Sequence, residues 1–177
     1  ATGDLDADGI DDLVVGLSSY RDGQIALVFG PVSSSFELSG SPALVLEGDS
    51  NLENIGVSLV VADFDGDARL DVAIGQNSGS TQLLHNVGAT PGLRVRLVGP
   101  PSNRHGVGAA IRIVYSNRMG PAREVRMGSG FWSVDDPVQV MGLQSGAEAI
   151  EVRWPNGSIQ RVEIEDGTLE VTVRQQN

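Results

Sequence analysis

Two short stretches constrain this chain more than anything else in it. They are Asp4-Leu5-Asp6-Ala7-Asp8-Gly9-Ile10-Asp11-Asp12 and Asp63-Phe64-Asp65-Gly66-Asp67-Ala68-Arg69-Leu70-Asp71. In each, carboxylates stand at positions 1, 3, 5 and 9. A tightly curled loop turns alternating side chains toward one point, and carboxylates gathered there repel. Two unit charges about 4 Å apart interact by about 4 kcal/mol at an effective dielectric near 20. A hard, oxygen-seeking cation removes that penalty, and calcium accepts many oxygens in irregular geometry. The expected ligands are the side chains of Asp4, Asp6, Asp8 and Asp12 with the backbone carbonyl of Ile10. In the second loop they are Asp63, Asp65, Asp67 and Asp71 with the carbonyl of Arg69. Two calcium ions are expected.

An EF-hand begins with the same alternation but ends on a bidentate Glu at position 12. Here that position holds Val15 and Ile74. Each loop instead runs into a β-branched apolar stretch, Leu13-Val14-Val15 or Val72-Ala73-Ile74, which reads as a buried strand rather than an exiting helix. A solvated acidic turn is the simpler alternative. It does not explain why the same spacing occurs twice with the same kind of strand behind it.

The loops start 59 residues apart, and the likeness runs on: Asp11-Asp12-Leu13-Val14-Val15-Gly16 matches Leu70-Asp71-Val72-Ala73-Ile74-Gly75. A repeat architecture is implied. Together with Asn54-Ile55-Gly56-Val57-Ser58 ahead of the second loop, these features resemble FG-GAP/VCBS repeats, the calcium-carrying blades of integrin-type β-propellers. Two departures stand out. Ala68 occupies a position where the family prefers glycine for a backbone of positive φ, and Ile55 stands where the family's name residue is Phe. Two repeats cannot close a propeller, since closure takes about four to eight blades. The open edges must pack on the rest of the chain, meet blades outside it, or pair with another copy.

Composition narrows the setting. The net charge of −11 is uneven: residues 1–90 carry 14 acids against two arginines, whereas residues 91–177 carry nine against ten. An acidic half of this kind argues against nucleic acid or an anionic membrane as partner. No apolar run is long enough to span a bilayer as a helix. There is no cysteine, hence no disulfide framework. The chain opens on Ala1-Thr2-Gly3-Asp4 without a signal-peptide pattern. The expectation is that a leader has been cleaved or that the chain is a piece of something larger. Extracellular calcium modules bind with Kd of roughly 10⁻⁴–10⁻³ M, so a calcium-rich exterior is the expected location, secreted or at the cell surface.

Strands are expected at 24–29, 44–46, 57–62 and 82–85, with polar connections at 18–23 and 32–42. Gly88 to Gly92 reads as a boundary, giving repeats at 1–88 and a second β domain at 89–177. In that second half, Leu93-Arg94-Val95-Arg96-Leu97-Val98 alternates as a half-exposed strand should. Further strands are expected at 110–115, 123–127, 138–141 and 168–173. A hairpin turns at Pro155-Asn156-Gly157. Burial of one face calls for an odd loop there, with Val152 opposite Val162 and Ile150 opposite Ile164.

The blocks Ser102-Asn103-Arg104-His105-Gly106-Val107-Gly108-Ala109, Arg123-Glu124-Val125, Gly128-Ser129-Gly130-Phe131, Gly142-Leu143 and Glu151-Val152-Arg153-Trp154-Pro155-Asn156-Gly157 stand in the order found in the ASPIC/UnbV domain. From about Leu93 to Val173 the chain resembles that domain, as in the cartilage acidic protein/UnbV family. The expected fold is therefore all-β: two propeller-type repeats in an incomplete propeller, then a small antiparallel β-sandwich or barrel-like domain.

Other motifs have simpler readings. Gly106-Val107-Gly108 lacks the strand and helix of a phosphate-binding loop and reads as a turn. His85 and His105 stand beside no nucleophile motif. Asp135-Asp136-Pro137 reads as a turn before proline rather than a further cation site. Phe131, Trp132 and Trp154 suit a core better than a sugar-stacking platform. Asn156-Gly157-Ser158 fits a glycosylation pattern but is also the hairpin turn, and Ser33-Ser34-Ser35 could carry glycans. The expected function is an extracellular calcium-stabilised binding or adhesion module without catalysis, meeting a protein or glycan partner or identical subunits. One alternative is a structural subunit of a surface filament or sheath. Another is a polysaccharide-active enzyme, which would have to draw its acids from Glu124, Glu151 and Asp135.

Overall fold

The computed structural model describes residues 1–17, 23–32, 44–47, 55–76, 79–128 and 136–176. Most of the connection expected at 32–42, together with Ser33-Ser34-Ser35, Asn54, Phe131, Trp132 and Asp135, lies outside the described residues. Among those described there is no helix; fourteen strands form four sheets. Among the described residues no helix is long and apolar enough to cross a membrane.

In the first half, β1 (Thr2–Gly3), β2 (Asp12–Leu17), β3 (Gln24–Val28) and β4 (Leu44–Glu47) form one antiparallel sheet in sequence order. A second is built from β5 (Ser58–Ala62), β6 (Asp71–Gly75) and β7 (Gln82–Leu84). The registers match: Gly3 faces Asp12 and Leu13 faces Val28, while Ala62 faces Asp71 and Val72 faces Leu84. The two acidic stretches therefore join the first strand of each sheet to the second. The inward residues Val14, Ile25, Val72 and Ile74 are buried together with Leu5, Ile55 and Leu70. The sheets approach at backbone distance, since a Cβ on Gly16 would lie 2.0 Å from the carbonyl oxygen of Gly56. That closeness explains the glycine within β2.

The second half holds β10-β9-β12-β13 in one sheet, with β9 at Ala110–Tyr115, β10 at Arg123–Glu124, β12 at Ala147–Arg153 and β13 at Ile159–Glu163. The other sheet is β11-β8-β14, with β8 at Leu93–Val98, β11 at Gln139–Met141 and β14 at Glu170–Arg174. Alternation places Leu93, Val95 and Leu97 of β8 in one core with Ile111, Ile150 and Val152. Among the described residues none of the four sheets closes into a barrel.

Two expectations are corrected here. The pairing of β14 with β8 is parallel, so this sheet is mixed rather than antiparallel. The hairpin keeps the expected parity but slides by two residues, with Ile150 facing Val162 and Val152 facing Gln160. Pro155 has no N–H to donate, and the turn closes one residue earlier through Trp154 N donating to Ser158 O at 2.8 Å and Gly157 N to Trp154 O at 2.9 Å. Trp154 itself is 2% exposed and donates through Nε1 to Gln160 Oε1, so it belongs to the core and not to a sugar platform. Asp136 Oδ1 accepts from Val138 N at 2.8 Å, which is the turn expected before Pro137. Asn103 brackets Val107 through its side-chain oxygen and nitrogen, closing Gly106 and Gly108 into a turn ahead of β9. The two halves also share a core, because Val140 of β11 packs among the residues of the first.

Candidate metal centre

The loops brace themselves in the same way. Asp12 accepts from Leu5 N at 2.6 Å through Oδ2 and from Gly30 N at 2.8 Å through Oδ1. Asp71 repeats this with Phe64 N at 3.0 Å and Asn86 N at 2.8 Å. Position 1 accepts from the amide at position 6: Asp4 from Gly9 and Asp63 from Ala68, both at 3.0 Å. Positions 3 and 5 accept from the amides two residues on, as Asp6 does from Asp8, Asp8 from Ile10, Asp65 from Asp67 and Asp67 from Arg69. Each carboxylate oxygen has further lone pairs beyond these bonds.

This curl demands left-handed backbone at positions 4 and 6. Each loop meets it with one glycine and one alanine, in opposite order: Ala7 (φ 63°) and Gly9 (88°), then Gly66 (85°) and Ala68 (67°). An L-residue in that region costs roughly 1–2 kcal/mol. Relief of that strain outweighs the entropy glycine adds to the unfolded chain, so Ala7→Gly is expected to raise stability by roughly 0.5 kcal/mol, read as a higher urea midpoint at unchanged slope.

The braced loops gather their acids. Ligand oxygens of Asp4, Asp6 and Asp8 lie within 4.8 Å of one another, as do those of Asp63, Asp65 and Asp67. Asp71 is grouped with Asp65 and His85, whereas Asp12 is grouped with none among the described residues; both of these acids accept a backbone amide at each oxygen. Ile10 and Arg69 donate their amides to the acids before them. The Arg69 side chain also pairs with Asp67 and donates to Ala89 O.

A hard cation fits this donor set. The side chain of Asp4 is fully buried, yet its Oδ1 has no hydrogen-bond partner among the described residues. Burial holds the Asp4 carboxyl up at about 6, against the charge of Arg123 and the amides of Gly9 and Gly142. Burial also raises Asp12, against the Gly30 and Leu5 amides. Asp67 is lowered: desolvation opposes this, but the hydrogen bonds and charge of Arg69 outweigh it.

A pH dependence follows for calcium-free protein. The folded chain holds the Asp4 proton more tightly than the unfolded chain, whose carboxyl titrates near 3.8. The contribution is complete below that value and is lost as pH rises through about 6. Each tenfold difference in proton affinity between the two states is worth about 1.4 kcal/mol. Urea midpoints in calcium-stripped buffer should fall between pH 4.5 and 6.5, and saturating calcium should flatten the trend. Asp67 acts only below this window.

Several neighbours of the loops have no signature in the sequence. The second half supplies a guanidinium to the first aspartate of each loop. Arg94 Nη1 lies 2.6 Å from Asp63 Oδ2, and Arg123 Nη2 lies 3.8 Å from Asp4 Oδ2 while also pairing with Asp11. Gly142 N donates to Asp4 Oδ2 at 3.0 Å, and Gln144 donates to the carbonyl of Asp8. His85 and Asn86 close the second loop from the end of β7. Asn86 donates through Nδ2 to the carbonyl of Leu5 at 2.7 Å, tying the second loop to the first. For these two, the chain position directly after a strand paired to β6 was the available signal. Glu124 is engaged by Arg126 at 2.8 Å.

Two known families match the chain, one in each half. Residues 4–74 match the family described as FG-GAP-like repeat, and residues 99–177 match the family described as ASPIC and UnbV. Among curated proteins, Cartilage acidic protein 1 of Homo sapiens is 30% identical over 125 residues, covering 66% of this chain and 18% of the relative. The protein of the same name from Xenopus tropicalis is 30% identical over 122 residues, covering 64% and 18%. That from Mus musculus is 32% identical over 115 residues, covering 60% and 17%. The chain thus spans less than a fifth of the length of these relatives. It carries a segment of the FG-GAP-like repeat family followed by an ASPIC and UnbV domain.

Proposed function

We propose that this chain is an extracellular, calcium-stabilised binding module without catalytic activity, with a repeat region at 1–88 and a second domain at 89–177. Calcium at Asp4–Asp12 and Asp63–Asp71 neutralises the gathered carboxylates and fixes the strands that leave each loop. The second domain, seated on both loops through Arg94, Arg123 and Gly142, presents a surface to a protein or glycan partner. The observation that carries this reading is Asp4: a carboxylate buried among two other acids, with one oxygen left without a partner. In water-poor surroundings such a group calls for a cation or a proton, and the oxygen-only donor set of the first loop suits calcium. The name of the relatives, Cartilage acidic protein 1, is in keeping with an extracellular setting and an acidic chain.

The test is the calcium response of single-loop variants. Asp6 and Asp65 are exposed acids at position 3, so replacing them disturbs packing little. Asp6→Ala and Asp65→Ala should each remove roughly half of the calcium-induced rise in Tm, and the double variant nearly all of it. A full response in the double variant would end the proposal.

A further inference from the structure

His85 separates two loops that otherwise share their design. Because Leu13 faces Val28 and Val72 faces Leu84, and because Asp12 and Asp71 accept from the amides of Gly30 and Asn86, His85 stands where the first sheet has Phe29. Both side chains are roughly half-exposed at the mouth of their loops. Phe29 offers no ligand atom. His85 Nδ1 lies 3.3 Å from Asp65 Oδ2 and 4.0 Å from Asp71 Oδ1, and one ligand atom from each of the three residues falls within 4.8 Å of the others. Asp71 is a fixed member of this set, 1% exposed and held by the Phe64 and Asn86 amides. A nitrogen donor changes what the loop can hold. Calcium and magnesium take oxygen ligands, whereas imidazole beside carboxylates suits zinc and the later first-row divalent metals.

We propose that Asp65, Asp71 and His85 form a site for a divalent metal of the zinc class at the second loop. It shares Asp65 and Asp71 with the calcium set, so the two ions compete there. The first loop, with Phe29 in place of the imidazole, has no such preference. The inference rests on the reading of the loops as cation sites, and the following experiment separates the two.

Metal-stripped protein is titrated with Zn²⁺ alone by calorimetry, and the Tm rise in calcium is measured in parallel. Wild-type protein should bind one Zn²⁺ per chain, and zinc should lower bound calcium from two ions to one. His85→Phe, which copies the first loop, and His85→Asn should each weaken zinc by about tenfold or more while keeping the calcium-induced Tm rise. His105→Asn, at the other histidine, should bind zinc as wild type does. In wild-type protein the His85 imidazole ¹⁵N resonances should shift on zinc addition. Unweakened zinc binding in both His85 variants, loss of binding in His105→Asn, or no zinc binding beside a normal calcium response would each overturn this inference alone. Absence of the calcium response as well would overturn the reading of the loops.

Discussion

Removing calcium should lower the melting temperature by roughly 10–20 °C. At a free concentration a hundredfold above Kd, each site adds about 2.7 kcal/mol to the native state. Two sites then contribute about 5 kcal/mol, and each kcal/mol moves Tm by about 2–4 °C in a chain of this size. The structure shows why the loss is not confined to the loops. Asp12 ties the first loop to Gly30 beyond β3, and Asp71 ties the second to Asn86 beyond β7. A loop driven open by its own carboxylates therefore releases three strands of its sheet. Differential scanning calorimetry in 10 mM calcium and in excess chelator reads the effect directly. Coincident curves would mean that the arginines of the second half already satisfy the acids.

A large effect of a single substitution is expected at Gly142→Ala. A Cβ there would stand 2.2 Å from Asp4 Oδ2 and 2.9 Å from the carbonyl oxygen of Ala7. Neither can yield, since Asp4 is buried and the other atom is backbone. The second half must lift off the first loop and lose the Gly142 N–H bond to Asp4. Val140, two residues away, packs in the first half's core and is dragged with it. The combined loss is roughly 2–4 kcal/mol, read as a lower urea midpoint. Calcium affinity should fall at the first loop and hold at the second. Gly88→Ala is the control, because a Cβ there meets nothing within 4 Å.

The loops were legible in the sequence because alternation of side chains is a local property. Asp4, Asp6 and Asp8 converge whatever lies far away along the chain. Ala68 was legible as a strained position through the family resemblance, which favours glycine there, and its φ of 67° agrees. The strands were legible where apolar and polar residues alternate, as in β8, but alternation carries no strand direction. Hence the parallel pairing of β14 with β8 did not show. The hairpin register slipped by two because Asn156-Gly157 signals a turn while Pro155 decides where it closes. Least legible were the partners of the loops. Arg94 lies 31 residues from Asp63, and Gly142 lies 138 residues from Asp4. Among ten arginines in the second half, nothing local distinguishes the two that reach an aspartate. His85 becomes visible only once β7 is registered on β6 and Phe29 is seen to be its counterpart.

The most direct measurement is anomalous diffraction from crystals of the intact chain grown in calcium. Two strong peaks are predicted, one inside Asp4–Asp12 and one inside Asp63–Asp71, each surrounded by the carboxylates at positions 1, 3 and 5. Well-ordered loops with no anomalous signal, their aspartates contacted only by water and by Arg94 and Arg123, would contradict the account.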